Sequence, residues 1–159
     1  MDKLTNIFAR NCEVRRIDKP ASKAFLDTFH RLGDTTARYR YGLFVSRTTG
    51  AEEAALPAGT LVAVSTFSNA RRWQKDGRTV SSYEWIRYAS IEGVRVVGGM
   101  GKLLQTFIDD VHPDDVMSYA DADWPDGGDA YRTLGFTAEA TVQRAGHTNI
   151  KYRKTITYE

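Results

Sequence analysis

The chain has 159 residues, of which 42% are hydrophobic and 26% are charged, and this suits one globular domain, residues 1–159, with one core. Its net charge of +2 is too small to predict nucleic-acid binding by itself, and no apolar run approaches the roughly 20 residues of a membrane span. The N-terminal residues lack a signal-peptide pattern, and the single cysteine, Cys12, excludes an internal disulfide, so we expect a cytoplasmic protein.

The first half of the chain predicts a strand, a helix and two further strands. NCEVRRID alternates weakly, as a strand does, and the apolar spacing of PASKAFLDTFHRL predicts a helix that ends at Gly33. The runs YRYGLFVSR and TLVAVSTFS predict the two strands of a hairpin, joined by a long polar connection.

Four basic residues surround a tryptophan in the next segment, RRWQKDGR. One interpretation is a solvated loop. The alternative is a contact with a polyanion such as nucleic acid, made by Arg71, Arg72, Lys75 and Arg78.

The second half predicts the elements of a ligand-binding α/β unit. SSYEWIRYAS predicts a strand rich in aromatic residues, and an apolar stripe over residues 103–111 predicts an amphipathic helix that ends before His112 and Pro113. DVMSYAD predicts a strand, WPDGG a turn, DAYRTLGF a short helix, and the alternating tail two closing strands. The predicted order is β-α-β-β-β-α-β-α-β-β.

Three glycines, Gly98, Gly99 and Gly101, crowd the start of the second helix. Glycine in a helix costs roughly 1 kcal/mol relative to alanine, so the cluster indicates either a close approach to the backbone or a tight turn with positive φ. A helix start offers unpaired N–H groups and a partial positive charge, which suit a phosphate. The spacing matches neither the dinucleotide-binding GxGxxG nor a P-loop.

These residues resemble the GNAT superfamily of N-acetyltransferases. Its members carry a glycine-rich turn, Gln/Arg-x-x-Gly-x-Gly/Ala, and a short helix that reads Tyr-x-x-x-Gly-Phe. Arg95–Gly98 matches the first half of the turn, with Met100 at its final small position, and Tyr131–Phe136 matches the helix. The resemblance implies a mixed, mostly antiparallel sheet of about six to seven strands flanked by helices. It also implies acetyl-CoA, or another acyl-CoA, held by residues of the turn and the helix start: Arg95, Val96, Val97, Gly98, Gly99, Met100, Gly101 and Lys102.

A narrower resemblance, to the phage Mom-type DNA-modification proteins and their relatives, covers YEWIR and SYADADWPDGGDAYRTLGF. Those proteins are similar to the GNAT superfamily and carry a Glu-x-x-Arg strand, a Ser-x-Ala-Asp strand end and a tyrosine in the following helix. The matching residues are Glu84, Arg87, Ser118, Asp121 and Tyr131. This resemblance implies modification of adenine in DNA as an alternative activity.

The resemblances give three residues a catalytic role. Tyr131 is the acid that protonates the leaving thiolate, and Glu84 is the base that takes the amine proton, directly or through water. Asp121 is the alternative base, because a second carboxylate at Asp123 favours proton uptake. Each residue also has a structural interpretation, respectively a core tyrosine, a cross-strand ion pair and a turn cap.

Arg87, Ser118 and Trp124 are the candidate substrate-binding residues, and Trp124 is suited to stack on a flat substrate such as a nucleobase. The structural alternatives are a serine bonded to backbone and a tryptophan that covers a helix end. No pair of histidines has metal-ligand spacing, so we predict no metal.

The sequence therefore predicts acyl transfer from acyl-CoA to a small-molecule, protein or nucleobase amine, by a monomer or a homodimer. The two alternatives are a Mom-type base-modifying protein and a binding module without catalysis on the same scaffold. Strongly salt-dependent DNA binding would favour the first alternative, and failure to bind any CoA would favour the second.

Overall fold

The computed structural model describes residues 5–46, 56–123, 127–144 and 146–158. The helices in these ranges are α1 (Lys19–Phe29), α2 (Gly99–Val111) and α3 (Gly127–Thr133), and a 3-10 turn lies at Ala9–Asn11. The strands are β1 (Thr5–Phe8), β2 (Cys12–Arg16), β3 (Tyr39–Val45), β4 (Leu61–Phe67), β5 (Arg71–Lys75), β6 (Arg78–Ser90), β7 (Val94–Val97), β8 (Asp115–Asp121), β9 (Thr137–Arg144) and β10 (His147–Thr155).

Strand pairing confirms the predicted fold class, a mixed α/β protein with a mostly antiparallel sheet. Across the described ranges the main sheet has eight strands, in the order β2-β3-β4-β6-β8-β10-β9 with β5 paired to β6. The strands β1 and β7 pair in parallel and form a second sheet of two strands. No helix in the described part of the chain is long and apolar enough to cross a membrane.

Two predictions about local structure are wrong, and both missed short strands. The basic segment is a hairpin of β5 and the start of β6, because Asp76 and Gly77 at its tip take the positive φ values, 51° and 79°, that a two-residue turn needs. The residues before the glycines form β7, whose partner β1 precedes the first predicted strand. The turn predicted at residues 124–128 and most of the predicted polar connection before β4 lie outside the described residues.

The chain divides into two compact units. The first comprises Met1–Phe67 and Arg87–Val111, and the second comprises Ser68–Ile86 and His112–Glu159. The expectation of one domain stays a prediction.

Two helices supply the core of the first unit. The carboxylate of Asp18 caps α1, and Phe25 and Leu26 of this helix pack with Val64 and Ala89. The stripe predicted on α2 is buried, and its residue Phe107 stacks on a phenylalanine of β4 with ring centroids 3.9 Å apart. The predicted amphipathic face of α2 is therefore confirmed as a core surface. On α1 the buried face is Ser22, Phe25 and Leu26, whereas Ala21, Ala24 and Phe29, which also follow the helical spacing, are exposed.

The second unit is built on β6, β8, β10 and β9. The strands β6 and β8 run parallel and pair only over Ser82–Glu84 and Asp115–Met117. The strand β10 is antiparallel to both β8 and β9. Successive side chains of a strand point to opposite faces, so the two faces of this sheet carry different residues.

We name these faces by what lies on them. The α3 face carries Trp85, Ser118 and Tyr152, which contact Tyr131 of α3. The hairpin face carries the residues that alternate with these three, and Glu84 is one of them. It continues onto the side of the β5–β6 hairpin that carries Trp73.

Candidate functional site

Tyr131 is held by aromatic rings on the α3 face. Its ring stacks on Tyr152 with centroids 5.3 Å apart, and it meets Trp85 edge-on at 6.0 Å. Phe136 closes the cluster at 5.5 Å, after Gly135 turns the chain with a φ of 91°. Burial raises the pKa of the Tyr131 phenol above its ordinary value of 10.0, so the hydroxyl keeps its proton at neutral pH.

Gly128 fixes how closely α3 approaches β10. A Cβ at this position would collide with the Tyr152 hydroxyl, which accepts a hydrogen bond from Arg132 Nη2 at 3.1 Å. Glycine is therefore a packing requirement here. It allows Tyr131, one helical turn further on, to lie against β10.

Ser118 connects the Tyr131 hydroxyl to the sheet. It is 1% exposed, and its Oγ lies 2.9 Å from the Trp85 carbonyl oxygen and 2.7 Å from the Tyr131 hydroxyl oxygen. A serine hydroxyl has one hydrogen, and a carbonyl oxygen can only accept. A protonated Tyr131 can thus donate to Ser118 while Ser118 donates to Trp85, and an ionised Tyr131 can accept from Ser118 instead.

Glu84 lies on the hairpin face, 7% exposed, in an ion pair with Arg144. The two guanidinium nitrogens lie 3.1 and 3.5 Å from the two carboxylate oxygens, and the guanidinium also lies over the Tyr119 ring at 4.3 Å. The structure therefore shows the ion-pair interpretation of Glu84, with a partner that the sequence pattern does not indicate. No sequence spacing links residues 84 and 144, so only the fold could have revealed this contact.

The pairing of β6 with β8 stops beside both candidates. Its last pair is Glu84 with Met117, and one residue later the Ser118 side chain reaches the Trp85 carbonyl. Alternation puts Glu84 and the Tyr131 hydroxyl on opposite sides of the sheet at this point. The structure thus brings Tyr131 and Ser118 together and leaves Glu84 on the other face.

Asp121 ends β8 as a turn cap. Its Oδ1 accepts from the Asp123 backbone N–H at 2.9 Å. This contact supports the structural interpretation of Asp121. Trp124 falls outside the described residues, so its predicted stacking role stays a prediction.

The glycine-rich segment belongs to the first unit. Gly98 has a φ of 80°, and its carbonyl accepts the first helical hydrogen bond of α2, from Lys102 N–H at 3.0 Å. The N–H groups of Gly99, Met100 and Gly101 precede that bond, so the helix itself cannot satisfy them. They form the donor set that a phosphate at a helix start requires.

Two of the predicted cofactor residues have structural contacts of their own. Lys102 Nζ donates to the Ala9 and Cys12 carbonyl oxygens at 3.0 and 2.6 Å, so its ammonium binds the chain between β1 and β2. A Cβ on Gly99 would lie 2.9 Å from a methyl group of Val96, so this glycine is required by packing.

The remaining predicted residues around the glycine turn belong to the first unit. Arg95 is exposed on β7, where Val96 is buried, and Val97 and Met100 are half-buried. Arg87 also belongs to the first unit, where its Nε donates to the Gly33 carbonyl oxygen at 2.9 Å. In the described parts of the chain no three His, Cys, Asp or Glu side chains cluster as metal ligands.

Three solved structures share this fold at low sequence identity. Arabidopsis thaliana NAA60 in complex with acetyl-CoA is 11% identical over 91% of this chain and 98% of that chain, with a TM-score of 0.65. Ard1 from Thermoplasma volcanium is 12% identical over 93% and 99%, with a TM-score of 0.66. The spermidine/spermine N-acetyltransferase SpeG from Vibrio cholerae is 8% identical over 92% and 94%, with a TM-score of 0.63.

The chain has the GNAT acetyltransferase fold. No protein-family model matches the sequence, and no curated protein matches it significantly. The fold that the residues of the glycine turn and the α3 helix predicted is therefore confirmed by structure, at identities too low to carry an activity with it.

Proposed function

We propose that the chain is an acyl-CoA-dependent N-acyltransferase that acts on an amine. The observation that carries the proposal is the Tyr131 hydroxyl, a buried proton donor whose oxygen is held 2.7 Å from Ser118 Oγ. A fold shared with acetyltransferases supports it, and NAA60 was solved with acetyl-CoA.

The cofactor would be held by the start of α2. The N–H groups of Gly99, Met100 and Gly101 fit the pyrophosphate of a CoA thioester, and the helix dipole favours its charge. Gly99 is buried against Val96, so it can only be a glycine, and Gly98 before it is exposed. A bound acyl-CoA supplies an acyl group activated as a thioester.

Tyr131 would act as the general acid. When the acceptor nitrogen bonds to the acyl carbon and the carbon–sulfur bond breaks, the proton of the Tyr131 hydroxyl goes to the thiolate sulfur. The Ser118 hydroxyl would then rotate and donate its hydrogen to the new phenolate oxygen, which accepts more strongly than the Trp85 carbonyl oxygen. Its position lets it stabilise both protonation states of Tyr131.

Glu84 would take the proton that the amine loses, directly or through water. Its carboxylate is buried on the hairpin face, where a cationic side chain, Arg144, already binds it. A site that holds a guanidinium on a carboxylate and a tyrosine ring suits a cationic amine that displaces it. Asp121 remains the alternative base, although its Oδ1 is engaged in a turn.

A nucleobase amine is the second candidate acceptor, as in the Mom-type proteins. One observation favours it, namely an exposed tryptophan, Trp73, among basic residues on the same sheet face as Glu84. Arg87, which the Mom-type pattern pairs with Glu84, lies in the first unit on a backbone carbonyl, and this contact gives the alternative no support.

Calorimetric titration with acetyl-CoA and with desulfo-CoA tests the cofactor assignment. We expect micromolar binding of both, and at least tenfold weaker binding by Met100→Pro, which removes one N–H that makes no helical bond. The chain already tolerates proline in the first turn of α1, at Pro20, so we expect the melting temperature of this variant to change little. No binding by the native chain at millimolar ligand would overturn the assignment and leave a non-catalytic module.

An acceptor screen then tests the reaction. Release of free CoA thiol is followed with spermidine, with a peptide that has a free N-terminus and with adenine nucleotides. Turnover with one amine class would support acyl transfer. Binding of acetyl-CoA without turnover of any of these amines would count against these acceptor classes.

A further inference from the structure

The hairpin face of the second unit contains a cleft that the proposed acyl transfer does not use. It has a volume of about 230 Å³, and the hairpin, β8, β9 and β10 contribute its walls. Cross-strand pairs place Arg71, Trp73, Lys75 and Arg78 on one side of the hairpin, because Trp73 pairs with Val80 and Lys75 with Arg78. Of these four residues, Trp73, Lys75 and Arg78 line the cleft, and Arg71 lies beside it on the same strand as Trp73.

Trp73 presents a fixed ring in this cleft. Its side of the hairpin leaves it 40% exposed, and its indole N–H donates to Ser82 Oγ at 2.8 Å. Ser82 in turn donates to the buried Asp115 carboxylate at 2.9 Å. The one polar atom of the indole is thus satisfied, and the Arg153 guanidinium lies over the ring with its Cζ 6.0 Å from the centroid. The exposed remainder of the ring offers only aromatic surface.

Two of the three described acidic residues that line the cleft are paired with cations, and the third bonds to the backbone. Arg153 Nη1 lies 2.5 Å from Asp115 and its Nε lies 2.5 Å from Glu139, while Lys151 contacts Glu139 at 3.7 Å. Asp114 accepts the backbone N–H of residue 81 at 2.7 Å. Among the described residues the lining therefore has two cations without an ion-pair partner, Lys75 and Arg78, against one such carboxylate, that of Asp114.

The cations beside Trp73 on the hairpin have no such partners. Among the described residues none forms an ion pair with Arg71, Lys75 or Arg78, and all three are exposed. Along β5 the residues Arg71, Trp73 and Lys75 recur every second position, about 6.5 Å apart. Such a row alternates charge, ring and charge along an extended line.

We propose that this cleft binds single-stranded nucleic acid. An unpaired base stacks on the exposed face of Trp73, and Arg71, Lys75 and Arg78 contact the phosphates on either side. Base stacking on a protein ring needs an unpaired base, which a duplex does not offer, so single strands are preferred. Arg72 points to the other face of the hairpin and takes no part.

Fluorescence anisotropy with labelled oligo-dT and oligo-U tests the proposal, with a DNA duplex as comparison. We expect binding of a single strand at 50 mM salt. Three phosphate contacts predict about 20-fold weaker binding at 200 mM, from a slope near −0.7 per contact. Equal binding to the duplex, or no binding at low salt, would overturn the proposal.

Adjacent arginines supply the matched control. Arg71→Glu should weaken binding at least fivefold, whereas Arg72→Glu makes the same charge change on the other face and should have a smaller effect. Trp73→Ala should weaken it about tenfold, the low end of stacking on one ring. Equal losses in the two arginine variants would contradict the assigned face.

Two further measurements test whether the cleft is selective for nucleic acid and distinct from the acyl-CoA site. Polyglutamate should bind more weakly and without any effect of Trp73→Ala, and equally tight binding would show a general polyanion site. Acetyl-CoA affinity should be unchanged in Trp73→Ala, and desulfo-CoA should not displace the oligonucleotide. These measurements test nucleic-acid binding by the cleft separately from the proposed acyl transfer.

Discussion

The two faces of the sheet in the second unit handle polar groups in opposite ways. On the α3 face, hydroxyl groups form a short neutral chain, Tyr131 to Ser118 to Trp85, inside a ring of aromatic side chains. On the hairpin face, Glu84 and Asp115 are buried carboxylates, each paired with an arginine. The α3 face therefore uses neutral hydroxyl groups, and the hairpin face uses ion pairs.

The difference indicates a division of labour in the proposed reaction. A neutral donor serves a leaving thiolate best when nothing nearby removes its proton, and burial of the Tyr131 hydroxyl meets that condition. A carboxylate serves a cationic amine best where it can bind a cation, and Glu84 already binds the Arg144 guanidinium. Variants that alter one face should therefore change a different step from variants that alter the other.

The largest expected effect is on the α3 face. Tyr131→Phe removes the proton that the leaving group takes, and we expect turnover to fall by about 10² to 10⁴, the usual contribution of a general acid. Affinity for acetyl-CoA, measured by calorimetry, should stay within a factor of about three, because the helix start of α2 is untouched.

The pH profile gives an independent readout of this variant. Because burial raises the pKa of Tyr131 above 10.0, the native rate should not decline through loss of this proton until the pH exceeds 10. Stability has the same sign: the contribution of the protonated phenol is complete below pH 10 and is lost at higher pH. Tyr158→Phe is the matched control, because it removes a tyrosine hydroxyl that donates to the Pro113 carbonyl oxygen at 2.6 Å and has no role in the proposed reaction. Equal losses in both variants would contradict a role for Tyr131 as acid.

Much of this arrangement could be predicted from the sequence, and the reason is locality. The Tyr131–Phe136 spacing and the glycines before α2 are local signals that follow from backbone geometry, and both led to the fold that the structure has. The Asp76-Gly77 dipeptide is also a local signal, one that favours a hairpin over the loop predicted for the basic segment.

The candidate site could be predicted only in part, because its contacts join distant residues. The sequence leaves Ser118 as either a substrate ligand or a backbone-bonded residue, and its bond to Tyr131 needs α3 to pack on β8 and β10. The pairing of Glu84 with Arg144 spans 60 positions. Side-chain partners of this kind depend on strand order and register, which the sequence pattern does not determine.

A smaller effect should follow from Ser118→Ala, which keeps the Tyr131 hydroxyl and removes its partner. We expect turnover to fall about tenfold, equivalent to the free energy of one modest hydrogen bond. Ser118→Thr retains the hydroxyl and should restore part of the rate. A thermal melt must accompany the kinetics, since the serine is buried. Loss of stability with an unchanged rate would make Ser118 a purely structural residue.

The smallest effect on turnover is expected on the hairpin face, from Arg144→Met. The variant leaves the buried Glu84 carboxylate without its partner, so the free energy of unfolding should fall by about 1 to 3 kcal/mol. An amine acceptor no longer has to displace the guanidinium, so its KM should fall a few-fold while kcat changes little. Arg15→Met, which breaks an exposed pair with Glu13 in the first unit, is the control and should leave both constants unchanged. A higher KM in Arg144→Met would mean instead that the guanidinium helps to bind the acceptor, and that the acceptor carries negative charge near this face.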